Sequence, residues 1–189
     1  MFALGHLRKL YLYLEALVFD SRTIDNNLPR PKKFTHENGV NWMLSKFDKK
    51  DMTILEIGSK EVVGESVLKK KIKNAKYIGL DINDGDNVDI QADAHELSKY
   101  IDYESIDCIY SSSVFEHLYA PWLVAEEIYK VLKLNGYVCI ETVFCYQAHE
   151  RPFNFFNCSD LGLKVLFKTC FAKLLMPLTF CLLKPQLFN

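Results

Sequence analysis

The stretch IDCIYSSSVFEHLYAPWLVAEEIYKVLKLNGYVCIETVF, residues 106–144, decides the fold. Asp107–Tyr110 is a compact apolar run closed by three serines, which reads as a buried strand. Pro121 then stands where a first-turn proline is tolerated. Val124, Ala125, Ile128, Val131 and Leu132 recur at three and four, so one face of a helix from 121 to 132 is apolar. Asn135-Gly136 has the chemistry of a left-handed helix cap. Tyr137–Val143 is a second apolar run of strand length. A strand, a covering helix and a further strand form the unit that builds parallel sheets.

Working outward, the same alternation continues towards the N-terminus. Thr53–Ile57 reads as a buried strand ending at Gly58, and 64–72 as a helix with Val67, Leu68 and Ile72 inward and Lys69–Lys71 outward. Lys76–Leu80 is a strand closed by Asp81, and Val88–Ile90 a short one. The expected class is therefore α/β, with a mostly parallel sheet covered on both faces and right-handed crossovers. Ligands of such sheets sit beyond the carboxyl ends of the strands, which directs attention to the residues after 57, 80, 91, 110 and 143.

The flanks read differently. Leu4, Leu7, Leu10, Leu14 and Leu17 make an apolar stripe on a helix over 1–19, a loop holds Pro29 and Pro31, and Val40, Met43, Leu44 and Phe47 share a face of a helix over 37–47. These residues, 1–47, form an expected helical cap; 48–171 is the catalytic-type domain; 172–189 is an apolar tail. Leu174–Leu183 contains Pro177 and is too short to cross a bilayer, although contact with a membrane surface stays open. With 23 basic and 24 acidic residues the net charge is −1, so no global signature of nucleic-acid binding is evident. The six cysteines include no Cys-x-x-Cys pair and suit neither a zinc site nor a disulfide framework, which fits a reducing cytoplasm.

Five segments carry the candidate chemistry. In Ile54-Leu55-Glu56-Ile57-Gly58-Ser59-Lys60 a glycine ends a buried strand, where a ligand can approach the backbone and the amides of the turn can hold a carboxylate or hydroxyl; a plain tight turn is the alternative. In Tyr77-Ile78-Gly79-Leu80-Asp81-Ile82 the acid at the strand end can accept both hydroxyls of a ribose; a turn or cap aspartate is the alternative. Asp93-Ala94 can border an adenine, or Asp93 can cap a helix. Ser111–Ser113 leave room for a ligand, and Glu116-His117 is either a catalytic pair or a structural one. His149, in the loop after the last apolar strand, has the side chain of a general base, or is a surface histidine.

Taken together these segments resemble the class I S-adenosylmethionine-dependent methyltransferases, and within them the methyltransferase type 11 group. ILEIGSKEVVGES (54–66) is similar to that group's first motif, YIGLDINDGDNVDIQADAHEL (77–97) to its second- and third-strand motifs, and 106–144 to its fourth strand, following helix and fifth strand. HERPFNFFNCSDLGLKVLF (149–167) resembles a downstream motif, with Asn154, Phe156 and Asn157 where the group usually has aspartate, tryptophan and arginine.

The resemblance implies a Rossmann-like three-layer sandwich with S-adenosylmethionine as cofactor. It places Glu56, Gly58 and Ser59 around the methionine part, Asp81 on the ribose with Ile82 beside it, Asp93 and Ala94 along the adenine, and Ser111 next to the sulfonium. The implied activity is methyl transfer to a small-molecule or glycan acceptor, by O-methylation, with His149 and then His117 as candidate bases. The group also has two strands after the fifth; with about 18 residues left after Phe171, the sheet is expected to lack its last strands, leaving an edge for a protein partner to cover. The alternative function is a non-catalytic, methyltransferase-like scaffold.

Overall fold

A computed structural model describes residues 36–61, 67–144, 146–167, 171–173 and 179–183. The helix read over 1–19 lies outside these residues. The described chain runs α1 (His36–Phe47), β1 (Thr53–Ile57), α2 (Val67–Lys71), β2 (Lys76–Asp81), β3 (Ile90–Gln91), a 3₁₀ segment (Ala94–Lys99), β4 (Ile106–Ser112), a 3₁₀ turn (Phe115–His117), α3 (Pro121–Val131), β5 (Leu132–Glu141), α4 (Asp160–Leu166), β6 (Phe171–Lys173) and β7 (Thr179–Leu183).

The strands form one sheet in the order β3-β2-β1-β4-β5-β7-β6. β3, β2, β1, β4 and β5 are parallel neighbours, and strand order reverses at β1 and β4. β7 runs antiparallel between β5 and β6. The expectation of a sheet without its last strands is corrected: Thr179–Leu183 pairs with Tyr137–Glu141, so β5 offers no open edge for a partner to cover. The two strands are short and separated by Pro177, and their pairing is long-range, so local pattern did not show them.

Side chains alternate across the sheet, as the strand period of two requires. Leu55, Ile57, Leu80, Ile109, Val138 and Ile140 face one core, closed by Val124, Ile128 and Val131 of α3 and Leu97 of the 3₁₀ segment. Ile54, Cys108, Tyr110 and Cys139 face the other, closed by Val40, Met43 and Phe47 of α1 and Leu68 of α2. Each fully buried aliphatic side chain contributes about 1.5–3 kcal/mol. Cys108 and Cys158 are free thiols. Cys139 is disulfide-bonded, against the expectation of no disulfide framework; Cys181 stands opposite it in the β5–β7 register.

One local reading is corrected. Helix α3 ends at Val131, and Asn135, with φ +63°, lies inside β5. The left-handed residue marks an irregularity in the strand: the β4–β5 register steps from Ile106↔Leu132 to Cys108↔Tyr137.

Candidate functional site

The carboxyl ends of β1, β2 and β4 meet at one place. Gly58 takes a left-handed φ of +83°, and a Cβ built on it would lie 2.2 Å from Val114 Cγ2. The close approach that requires glycine therefore comes from the loop after β4. The turn amides expected to hold a ligand are used within the protein: Gly58 N and Ser59 N donate to Leu80 O at 2.8 and 3.2 Å. Lys60 N donates to Asp81 Oδ2 at 3.1 Å, and Asn83 N donates to Asp81 Oδ1 at 2.8 Å. The carboxylate closing β2 is thus turned towards the turn that closes β1. Ile82 beside it is exposed.

Glu56 is buried, and its Oε2 accepts the Tyr77 hydroxyl at 2.6 Å. The buried Ser59 hydroxyl lies beside the same phenol. Burial first, then the Glu56 charge, pushes the Tyr77 phenol well above its ordinary range. Sequence reasoning missed two residues here. Tyr77 donates a hydrogen bond to the Glu56 carboxyl inside the fold. Gly79 is needed because a Cβ there would lie 1.9 Å from Asn87 O, which brings the 83–89 loop onto β2.

Asp93 and Ala94 lie beyond β3. Asp93 caps the 3₁₀ segment: its Oδ1 accepts His95 N at 2.9 Å and contacts His95 Nδ1 at 2.6 Å. Burial works against the Asp93 charge, but these two hydrogen bonds outweigh it and hold the carboxyl below its usual value. The His95 ring stacks on Tyr119 with centroids 4.1 Å apart. Ser111 is fully buried, paired in the register with Ile57 on one side and Ile140 on the other, and its hydroxyl has no partner among the described residues.

A second group gathers beyond β4 and β5. Glu116 is fully buried, and its Oε2 accepts the Thr142 hydroxyl at 2.7 Å. His117 Nδ1 lies 2.8 Å from Phe153 O, and His149 Nδ1 lies 3.1 Å from Gln147 O. The two imidazoles meet edge to face at 5.0 Å. Phe155 N and Phe156 N donate to Glu116 O, tying the later loop to the turn after β4. Glu116-His117, read from the sequence as a pair, and His149, read in a separate loop, are brought together; Thr142 and the supporting carbonyls had no sequence signal of their own.

A mostly parallel sheet of order 3-2-1-4-5-7-6, with β7 antiparallel and an acid at the end of β2 facing a glycine turn at the end of β1, is the framework of a nucleoside-binding α/β domain. Residues 54–140 match the family model described as a methyltransferase domain. Over that segment the chain is similar to the class I S-adenosylmethionine-dependent methyltransferases of the type 11 group, a class whose cofactor is S-adenosylmethionine.

Solved structures share the fold. The Burkholderia thailandensis 1,6-didemethyltoxoflavin-N1-methyltransferase, bound to 1,6-didemethyltoxoflavin and S-adenosylhomocysteine, superposes with a TM-score of 0.64 at 10% identity, covering 96% of this chain and 90% of that one. A chain from the Haloferax volcanii complex of the Trm112 methyltransferase activator with a methyltransferase gives 0.63 at 14% identity, covering 82% and 91%. A SAM-dependent methyltransferase from Aquifex aeolicus gives 0.56 at 15% identity, covering 80% and 98%. Among curated proteins none matches the chain. No helix among the described residues is long and apolar enough to cross a membrane.

Proposed function

We propose that the protein transfers the methyl group of S-adenosylmethionine to an oxygen of a small-molecule or glycan acceptor. The observation that carries this reading is the Asp81 carboxylate aimed at the Lys60 amide, which joins the ends of β1 and β2 next to the β1–β4 boundary where the strand order reverses. In this reading Asp81 accepts the ribose hydroxyls and exposed Ile82 offers an apolar face to the adenine. Asp93 and Ala94 border the adenine edge, Glu56, Gly58 and Ser59 shape the methionine end, and Ser111 lies under the sulfonium.

The cofactor, when bound, supplies an electrophilic methyl carbon and a thioether leaving group. The acceptor oxygen's lone pair forms the new C–O bond as the C–S pair returns to sulfur, and the hydroxyl proton leaves to a base. The chain's own task is alignment, which is worth roughly 7–11 kcal/mol in favourable cases. His149, and after it His117, is the candidate for receiving that proton, since both belong to the loops that follow β5 and β4 and their rings lie 5.0 Å apart.

Calorimetric titration with S-adenosylmethionine tests the reading directly. Saturable binding that is weakened in Asp81→Ala supports it; absence of binding by the folded protein refutes it. A scaffold function is favoured by one observation, the exposed Phe153, Phe155 and Phe156 in the substituted downstream motif; cofactor binding without turnover on any hydroxyl acceptor would select it. The reading includes a cytoplasmic location, supported by the free Cys108 and Cys158; Cys139, being disulfide-bonded, is the residue whose redox state in cell extracts decides the matter.

A further inference from the structure

We propose that Glu116, His117 and His149 form a binding site for a first-row divalent transition-metal ion. One ligand atom from each of the three lies within 4.8 Å of the others. Ligands held about 2.0–2.2 Å from one ion are roughly 3–4 Å apart, so closing the site asks for shifts of about 1 Å.

The surrounding atoms prepare these side chains for that role. Carbonyl oxygens only accept hydrogen bonds, so the contacts of His117 Nδ1 with Phe153 O (2.8 Å) and of His149 Nδ1 with Gln147 O (3.1 Å) put the proton on Nδ1 of each ring. In that tautomer each ring would present an Nε2 lone pair, which is how metal-ligating histidines are oriented by their outer partners. Glu116 supplies the independent observation. It is fully buried, Thr142 satisfies Oε2, and Oε1 has no partner among the described residues. A buried carboxylate oxygen without a donor is costly, and a cation beside it removes the deficit. His117 Nε2 also lies 3.6 Å from Glu150 Oε2, which places a further carboxylate at the rim.

Two imidazoles and one carboxylate form a donor set suited to zinc or its borderline neighbours rather than to magnesium or calcium. Three protein ligands leave a coordination position open, and the cluster lies where the loops after β4 and β5 converge. An acceptor with two adjacent oxygens, such as a vicinal diol or a hydroxy acid, fits that position. Its hydroxyl would be acidified by the ion and would lose its proton to solvent, so in the metal-loaded protein the histidines would serve as ligands, in place of the proton-accepting role proposed for the metal-free chain. This last step rests on the methyltransferase reading; the metal site does not.

The test uses the full chain stripped by chelator and titrated with Zn²⁺, then with Co²⁺ followed by visible absorption. One equivalent should bind, with cobalt d–d bands and no intense thiolate charge-transfer band. His149→Ala and Glu116→Gln should each weaken Zn²⁺ binding on the order of tenfold or more. His149 lies in a partly exposed loop, so its variant keeps the proposal testable if Glu116→Gln fails to fold. No stoichiometric uptake, a thiolate band, or unchanged affinity in folded His149→Ala overturns the proposal. Titrating S-adenosylmethionine into the metal-free chain reads the cofactor separately: loss there refutes the methyltransferase reading and leaves the metal site standing.

Discussion

Asp81 Oδ2 accepts the Lys60 amide at 3.1 Å, so the carboxylate that ends β2 also fixes the turn that ends β1. On the proposed reading, removing it acts twice, on the turn after β1 and on the ribose hydroxyls. Hydrogen bonds to a charged group contribute about 1.5–3 kcal/mol, and tenfold in affinity is about 1.4 kcal/mol. Asp81→Ala should therefore raise the dissociation constant for S-adenosylmethionine by about 10–100-fold. Asp81→Asn, which keeps an acceptor for Lys60 N, should fall between it and the parent. Equal affinity in all three proteins by calorimetry would remove Asp81 from the cofactor site.

Gly58 is required by two independent features, its φ of +83° and the Val114 methyl 2.2 Å from where a Cβ would stand. Gly58→Ala should cost at least about 1–2 kcal/mol from the backbone alone, lowering Tm by about 2–4 °C per kcal/mol. Adding Val114→Ala relieves the overlap but not the backbone strain, so the double variant should recover only part of the loss. Full recovery in thermal unfolding would assign the whole effect to packing.

How much of this was legible in the sequence follows from what is local. Ile54, Leu55 and Ile57 announce a strand buried on both faces, and Asp81 announces a strand end, because both signals lie within a few residues. Glu56 looks like a pocket acid; only the neighbouring strand supplies the Tyr77 hydroxyl that accounts for its burial. Asn135-Gly136 has the same chemistry in a helix cap and in a kinked strand, and the pairing of Leu132 with Ile106 decides between them. Thr179–Leu183 becomes a strand by pairing with Tyr137–Glu141, a relation no window can hold. Glu116, His117 and His149 were each visible as chemistry, but their meeting depends on the path of the 146–157 loop.

Asp48, just past α1, holds the start of β2 in place. Its carboxylate accepts the amides of Lys73, Asn74 and Ala75 at 2.7–3.1 Å. Burial opposes the charge, but the three backbone donors prevail and lower its pKa from 3.8. A depressed carboxyl contributes stability that is present above its unfolded value and lost as pH falls through the folded one. Asp48→Ala should cost about 1–3 kcal/mol near neutrality, and the gap to the parent should narrow below about pH 4. A gap in urea midpoints that persists unchanged at lower pH would show that the charge is irrelevant.

Tyr77 and Tyr110 make the opposite prediction at the alkaline end. Both phenols are raised well above 10.0, first by burial and then by the charges of Glu56 and Glu141 respectively. The folded protein therefore holds these protons more tightly than the unfolded chain does. Their contribution is complete below the unfolded value and declines as pH rises above about 10. The urea midpoint of the parent should fall steeply between about pH 10 and 11. In Tyr77→Phe/Tyr110→Phe, which has no phenol at either place to ionise, the same interval should give a shallower decline, even though the double variant starts from a lower midpoint at neutral pH because the Glu56 and Glu141 carboxylates lose a donor each. Parallel slopes in the two proteins would mean that other groups govern alkaline unfolding and that the two buried phenols do not.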